Sequence, residues 1–170
     1  MYAKQFKVAL KKPAEYRLGS GTHGTVFHLP GVKDVCAKQH KSGYKQTEYD
    51  MLRRVHSANC SVPEPRGELV SEQTFFMRIA NGLTVAQHLG VGARFSQEII
   101  DDCVDIVVDF NKRFTHGHLT SKNIILENAE YVSGVIVGGY PVIIDHFHTQ
   151  RGCSQEWRTV RPWFKGRVAS

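Results

Sequence analysis

The chain has few cysteines and no long apolar run. Its four cysteines are far apart in sequence, and none has the Cys-x-x-Cys spacing of a zinc or redox site. Four cysteines are also too few for the disulfide framework of a small secreted protein. No run of about 18 apolar residues occurs, so no helix that spans a membrane is expected. We therefore expect four reduced thiols in a protein that works in the cytosol.

Two further absences narrow the choice of partners. The N-terminus lacks the apolar segment of a cleavable secretory signal. No run of Lys or Arg exceeds two residues and no aromatic–basic repeat occurs, which argues against a nucleic-acid ligand. The net charge of +6 instead suits an anionic ligand such as a nucleotide, or an acidic partner surface. A chain of 170 residues predicts one domain, and we expect a monomer that binds neither nucleic acid nor a membrane.

A glycine-rich stretch, Leu18–Phe27, is the most informative segment of the chain. It contains Gly-x-Gly-x-x-Gly-x-Val, with the glycines at positions 19, 21 and 24. Glycines at this spacing let a strand–turn–strand unit lie close to a polyphosphate, because no Cβ atom keeps the backbone N–H groups away. A hairpin with a glycine-rich turn shows the same pattern, so the following segments have to decide between the two.

The first half of the chain predicts strands and one amphipathic helix. Residues 1–15 are basic and predict a partly ordered lead-in. Apolar residues at i, i+3 and i+6 predict a helix over Tyr44–Val55, and Glu48 lies on it. Strands are predicted on both sides of the glycine-rich turn in Tyr16–Phe27, in Val35–Lys38, in Glu68–Val70 and in Thr74–Ile79.

The second half predicts a long helix, a polar loop and a buried strand that leads to an aspartate. Ser96–Phe114 is the strongest helix of the chain, with Ser96 as its N-cap and a wide apolar stripe. The other predicted elements are a short helix or turn at Leu83–Leu89, a polar loop at Thr115–Asn123, a strand at Ile124–Leu126, an exposed hairpin over Glu127–Tyr140, a strand at Pro141–Ile144 that leads to Asp145, and a C-terminal helix packed through Trp157, Trp163 and Phe164.

The order of these features resembles the protein kinase fold. Leu18–Phe27 is similar to the kinase glycine-rich loop, and Val35–Lys38 is similar to the strand that carries the phosphate-pairing lysine. Thr47–His56 resembles the kinase αC helix. His116–Asn123, which reads His-Gly-His-Leu-Thr-Ser-Lys-Asn, resembles the catalytic loop. Ile143–Phe147 resembles the strand that ends in Asp-Phe-Gly, and five motifs in one order make the resemblance fairly specific.

The resemblance implies an α+β protein. The expected architecture is a minimal bilobal protein kinase-like fold with a twisted antiparallel N-lobe sheet, an αC-like helix and a truncated helical C-lobe. The expected domain organisation is one minimal kinase domain over residues 1–170, with the N-lobe at about 1–80 and the reduced C-lobe at about 81–170.

The resemblance also implies ATP and Mg²⁺ as cofactors. Lys38 then binds phosphate oxygens, Glu48 pairs with Lys38, Asn123 and Asp145 ligate Mg²⁺, and the catalytic residues are Lys38, Asp145 and His118. Taken singly, these residues also fit a solvated ion pair or turn caps. The implied nucleotide-binding residues are Gly19, Ser20, Gly21, Thr22, Gly24, Val26, Lys38 and Glu48, with Met77 and Ile79 in the segment that corresponds to the adenine-binding hinge.

The main departure from the family is His118, which stands where kinases have the aspartate that accepts the substrate proton. Three interpretations are open. His118 is itself the base, since an imidazole can accept a proton at neutral pH. Alternatively, phosphoryl transfer needs little help from a base, because it depends on positioning and charge neutralisation. In the third, the protein is a pseudokinase that acts by binding. The retained Lys38, Glu48, Asn123 and Asp145 favour an active enzyme.

Two further departures concern the segment after Asp145. His146 and Phe147 replace the Phe-Gly of the family, which puts the usual mobility of that segment in doubt. Only 25 residues follow Asp145, too few for an activation segment and the lower helices of an ordinary kinase. We therefore expect a site that is assembled constitutively.

The short chain looks like the minimal kinases found among secreted bacterial effectors and some viruses. One effector group of this kind phosphorylates the host chaperone Hsp90, so a host protein, with Hsp90 as a candidate, is the expected substrate and the host cytoplasm an expected workplace. The expected activity is Ser/Thr phosphorylation in virulence. The alternatives are a pseudokinase binding module or decoy and a small-molecule phosphotransferase, the latter suggested by His116-Gly117 and opposed by the short tail.

Overall fold

The computed structural model describes residues 1–41 and 46–169. The chain forms two compact units: Met1–Arg54 with Pro63–Ile79, and Val55–Val62 with Ala80–Ser170. The predicted organisation as one kinase domain stays a prediction. Residues 44 and 45 of the predicted helix lie outside the described residues.

A five-stranded sheet forms the framework of the first unit. Its strands are β1 (Arg17–Ser20), β2 (Gly24–His28), β3 (Val35–His40), β4 (Pro65–Leu69) and β5 (Thr74–Arg78). They are antiparallel, in the order β1-β2-β3-β5-β4. Side chains alternate between the two faces of a strand. Val35 and Ala37 of β3 therefore join the core on one face, and Lys38 and His40 lie on the other.

Two short helices cover one face of this sheet, so the predicted lead-in over residues 1–15 was wrong. They are α1 (Ala3–Lys11) and α2 (Pro13–Tyr16). Phe6 and Ala9 of α1 are fully buried and pack with Phe27 and Phe76. Their i, i+3 spacing is helical. The four lysines from Lys4 to Lys12 made the segment look like a polar lead-in, so the spacing was missed.

The opposite face of the sheet packs against α3 (Gln46–Ser57). Tyr49 and Leu52 of α3 are buried, and the Tyr49 ring lies 5.6 Å from the Phe75 ring. Phe75 and its neighbour Phe76 thus face opposite sides of the sheet. This arrangement places Glu48, in the first turn of α3, on the same side as Lys38.

A long hairpin dominates the sheet of the second unit. Its strands are β6 (Gly82–Thr84), β7 (Arg94–Phe95), β9 (Ile124–Val132) and β10 (Val135–Ile143), in the order β6-β9-β10-β7. The sequence predicted two short strands with a separate hairpin between them, whereas the structure has two continuous strands that turn at Ser133 and Gly134. Bulges on both sides of Gly138 let β10 stay paired with β9 through this stretch. The predicted exposed hairpin is present: Tyr131, Val132 and Tyr140 are exposed.

Three helices complete the second unit: α4 (Val85–Gly90), α5 (Gln97–Asn111) and α6 (Val160–Trp163). The strongest predicted helix is confirmed as α5, and Ser96 Oγ accepts its capping hydrogen bond from the Ile99 amide at 3.4 Å. The tail contains a 3₁₀ turn at Glu156–Thr159 before α6, and Phe164 is buried. Earlier in the tail, β11 (Gln150–Arg151) pairs with β8 (Phe114–Thr115), so the predicted tail helix is only part of its structure.

Every helix in the described part is too short or too polar to cross a bilayer. All four cysteines are free thiols: Cys36, Cys60 and Cys103 are buried and Cys153 is exposed. The structure confirms the α+β class and the expected antiparallel N-terminal sheet with an accompanying helix.

Candidate functional site

A buried ion pair joins β3 to α3 in the first unit. Lys38 Nζ donates to Glu48 Oε1 at 2.6 Å, and the two residues are 7% and 3% exposed. His40 Nε2 lies 3.4 Å from the other carboxylate oxygen, Oε2, and its side chain is fully buried. The sequence interpretation missed His40. The alternation of β3 could have found it, because a residue two positions after Lys38 must share its face.

The energetics of this pair separate it from an ordinary surface contact. Removing two charges from water carries a desolvation penalty of several kcal/mol per ion, and removing one partner of a formed pair costs about 3–5 kcal/mol. A buried pair is therefore a weak device for stability but an effective way to fix an ammonium group. Fixed in this way, Lys38 can present a point charge to anionic oxygens.

The glycine-rich turn between β1 and β2 contains two kinds of glycine. A Cβ atom at Gly24 would lie 2.6 Å from the backbone oxygen of Gln39, so packing against β3 requires glycine there. A Cβ atom at Gly19 or Gly21 would meet no atom of the described residues within 4 Å. The fold itself leaves space beside these two glycines, and their backbone can be approached closely.

The predicted hinge residues Met77 and Ile79 lie at and just beyond the end of β5. Burial raises the pKa of Cys36 to about 12, and its neutral thiol donates to the Met77 carbonyl at 3.7 Å. The Ile79 amide donates to the Asp34 carbonyl at 2.9 Å. That amide is therefore engaged within the chain, and another atom of the segment would have to receive a base.

In the second unit, His116 connects the His116–Asn123 loop to the strand before Asp145. His116 is fully buried, and burial lowers its pKa, which favours the neutral ring. Because a carbonyl only accepts, the protonated Nε2 donates to Ile144 O at 2.9 Å. The ring also packs against Phe110 and His146, with centroids 6.1 and 5.6 Å away.

His118, the predicted base, is exposed on the same loop. Its ring lies edge-on to that of His148, 5.9 Å between centroids. Gly117 before it has a φ of +77°, and a Cβ atom there would lie 2.9 Å from the His148 carbonyl oxygen. This left-handed backbone turns the chain at the point where His118 leaves the loop.

Asn123 and Asp145 are brought close by the base of the hairpin. The Ile144 amide donates to the Asn123 carbonyl at 2.9 Å. Asp145 directly follows Ile144 in the chain, so it lies close to Asn123. Asn123 Nδ2 donates to the His118 carbonyl at 2.8 Å, which leaves Oδ1 as the atom suited to a cation. Asp145 itself has a left-handed backbone, φ 62° and ψ 69°. Such strain costs about 1–3 kcal/mol in a non-glycine residue and concentrates at functional sites.

The donor atoms of these two residues fit Mg²⁺. It prefers a few hard oxygen ligands and takes the others from water and phosphate. Among residues 1–41 and 46–169, no cluster of three or more His, Cys, Asp or Glu side chains could hold a metal ion alone. A carboxylate and an amide oxygen therefore match a cation that arrives with a phosphate, and they do not match a zinc centre.

Sequence reasoning missed one further residue at this loop, Glu156. Its carboxylate accepts hydrogen bonds from the backbone amides of His116 and Gly117 at 2.7 and 2.8 Å. No sequence pattern could have found it, since about forty residues separate the partners and the tail has no recognised motif.

Three solved structures similar to this chain are kinases. Rio2 kinase of Chaetomium thermophilum matches at a TM-score of 0.64 and 14% identity, over 99% of this chain and 63% of that one. The same kinase in its ADP/Mg²⁺–phosphoaspartate complex matches at 0.60 and 15%, over 98% and 58%. A Plasmodium kinase domain matches at 0.61 and 16%, over 82% and 51%.

These likenesses concern the fold. No protein-family model matches the sequence, and no curated protein matches it. The chain spans between about half and just under two thirds of the structures it resembles. Five sequence motifs in kinase order, an antiparallel N-terminal sheet with its helix and these neighbours lead to one conclusion: the chain has a protein kinase-like fold.

Proposed function

We propose that the protein is an atypical minimal protein kinase that transfers the γ-phosphoryl group of ATP to a Ser or Thr hydroxyl of a protein. The buried ion pair between Lys38 and Glu48 carries the proposal. A pair of this kind contributes little net stability, so its presence in a buried position favours a role for the fixed ammonium group. In phosphoryl transfer such a group binds phosphate oxygens and offsets developing charge.

The local geometry supports the proposed nucleotide-binding roles. The open space beside Gly19 and Gly21 suits backbone N–H groups that approach a phosphate. Asp145 and Asn123 Oδ1 would hold Mg²⁺, which supplies charge neutralisation when it is bound. The Nδ2 bond to the His118 carbonyl fixes the orientation of the Asn123 amide before any ligand arrives.

His118 would accept the proton of the substrate hydroxyl. It is exposed and directly follows the fixed Gly117 peptide, so an acceptor can reach its ring. General base catalysis contributes a factor of about 10²–10⁴. Positioning and charge neutralisation remain when it is lost, so a His118→Ala variant would keep measurable activity.

The substrate and setting belong to the same proposal. The motif set resembles that of secreted effector kinases, so we propose a host protein as substrate, with Hsp90 as the candidate to test first. A monomer that acts in the host cytosol fits this role, and nucleic acid and membranes are not proposed as partners.

The test is transfer of labelled phosphate from ATP and Mg²⁺ to purified Hsp90 and to proteins of a host lysate. Lys38→Met and Asp145→Asn should each lower the rate by roughly 10²–10³-fold, the usual loss when one charge-stabilising group is removed. Lys33→Met, at an exposed lysine just before β3, is the matched control for the first. Asp34→Asn matches the second, because Asp34 also has a left-handed backbone, with φ 60° against 62°. Equal labelling by all four variants would refute the proposal.

A second candidate function is a nucleotide-binding module without transfer, motivated by His118 at the position of the missing aspartate. It predicts ATP binding that Lys38→Met weakens, with no labelled product in any lysate. Calorimetric titration of ATP alongside the transfer assay distinguishes the two functions.

A further inference from the structure

The carboxylate of Glu156 accepts four hydrogen bonds from the second unit. Oε1 accepts from the Gly117 amide at 2.8 Å. Oε2 accepts from the His116 amide at 2.7 Å, Asn111 Nδ2 at 3.1 Å and Ser154 Oγ at 3.0 Å. Each oxygen thus binds one of two consecutive amides in the loop that leads to His118.

The two amides belong to an irregular segment, where no helix or strand partner is at hand. His116 follows the two-residue strand β8, and Gly117 has a left-handed backbone. Bonds to an ionised acceptor are shorter and roughly twice as strong as neutral ones. A carboxylate that accepts from both amides fixes the plane of the peptide between His116 and Gly117. It therefore also fixes the direction of the chain at His118.

Glu156 is itself held by several contacts. The Trp157 amide donates to Asn111 Oδ1 at 3.1 Å, and Thr159 Oγ1 donates to the Glu156 carbonyl at 2.7 Å. The Ser154 amide donates to the Asn111 carbonyl at 3.1 Å. Together with the β8–β11 pairing, these bonds attach the tail to the end of α5 and make Glu156 a preset acceptor.

We infer that Glu156 is a positioning residue that orients His118 and Asn123 for phosphoryl transfer. The inference rests on the proposed function. Glu156 binds both amides of the His116–Gly117 segment and thereby fixes the backbone that leads to His118. The His118 carbonyl in turn accepts a hydrogen bond from Asn123 Nδ2. The tail beyond Asp145 then contributes to the site through Glu156 and the backbone of the loop.

The central variant is Glu156→Gln, which keeps the shape of the side chain. It removes the charge and places an NH₂ group against one backbone N–H, so one of the two hydrogen bonds to the loop amides is lost. Glu98→Gln, at an exposed position on α5, is the matched control. We expect Glu156→Gln to lower kcat about tenfold or more with little change in KM for ATP, because misplacement of the reacting groups slows the chemical step. Glu156→Asp keeps the charge on a shorter side chain, and its kcat should lie between those of Glu156→Gln and the Glu98→Gln control.

A second readout needs no activity. Exchange of the His116 and Gly117 amide protons, followed by NMR, should accelerate about tenfold or more in Glu156→Gln while the amides of α5 keep their wild-type rates. If wild-type protein transfers no phosphate, the proposed function fails, and this exchange experiment alone still decides whether Glu156 fixes the loop.

Three results would overturn the inference. One is kcat and loop exchange in Glu156→Gln within twofold of wild type. The second is faster exchange throughout α5 together with the two loop amides, which indicates a general loss of stability. The third is a rise in KM for ATP with kcat unchanged, which assigns Glu156 to uniform binding of nucleotide.

Discussion

Lys38 in the first unit and His118 in the second are held by opposite means. Lys38 extends from a regular strand, and the Glu48 carboxylate on a regular helix binds its ammonium group. His118 lies on an irregular loop whose backbone accepts a hydrogen bond from Asn123 at the end of the same loop and donates to Glu156 from the tail. The difference teaches where each region is vulnerable: the first to loss of a side-chain charge, the second to any change that alters the backbone path.

The largest effect should come from breaking the charge pair. Lys38→Met leaves the Glu48 carboxylate buried without its lysine, which should lower the free energy of unfolding by about 3–5 kcal/mol. The double variant Lys38→Met, Glu48→Gln removes both charges and should recover a large part of that loss. Urea denaturation of the two single variants and the double variant gives the coupling energy. Additive losses in the double variant would show that the pair does not act as a unit.

The backbone of the second region is tested by Gly117→Ala against Gly134→Ala. Both glycines have a φ of +77°, so both variants should lose about 1–2 kcal/mol to left-handed strain. Only Gly117 has a neighbour in the way, the His148 carbonyl oxygen at 2.9 Å, and nothing lies within 4 Å at Gly134. Overpacking should add about 1–3 kcal/mol to Gly117→Ala alone. Thermal unfolding measures the difference, and equal losses would mean that the loop shifts freely.

Within the first unit, Gly24→Ala against Gly21→Ala separates fold from ligand. Gly24→Ala should lose about 1–3 kcal/mol of stability, because its Cβ atom would press on the Gln39 carbonyl. Gly21→Ala should unfold like wild type within about 0.5 kcal/mol, yet bind ATP more weakly. Unfolding curves and calorimetric ATP titration check the two statements. Unchanged ATP affinity in Gly21→Ala would remove the glycine-rich turn from the proposed site.

The smallest expected effect concerns pH. Burial lowers the pKa of His116 below its usual 6.5, although Ile144 O, Glu156 and Asp145 act in the other direction. As the pH falls, the unfolded chain therefore takes up the proton before the folded chain does. The stability that the neutral ring contributes is complete above about pH 6.5 and is lost as the pH falls below that value. His116→Gln cannot be protonated, so its stability should change less than that of wild type between about pH 7 and about pH 5. Parallel pH profiles for the two proteins would contradict this.

The sequence predicted well where a single element decides the outcome. The apolar period and the Ser96 cap gave α5, and the kinase resemblance implied the pairing of Lys38 with Glu48 that the structure contains. It failed where distant segments decide. The apolar stripe of α1 is short and surrounded by lysines, and bulges let β10 run through Gly138 and Gly139. Glu156 was out of reach altogether, because its partners are two backbone amides that any residue type could supply.

The distribution of thiols gives the molecule a practical property. Burial raises the pKa of Cys36 and of Cys103 to about 12, and it also raises that of Cys60, so these three sulfurs stay protonated and sheltered. Cys153 is exposed and lies three positions before Glu156. A maleimide dye should therefore attach once per chain, as intact-mass spectrometry would show, and its fluorescence would report on the tail without any engineered cysteine.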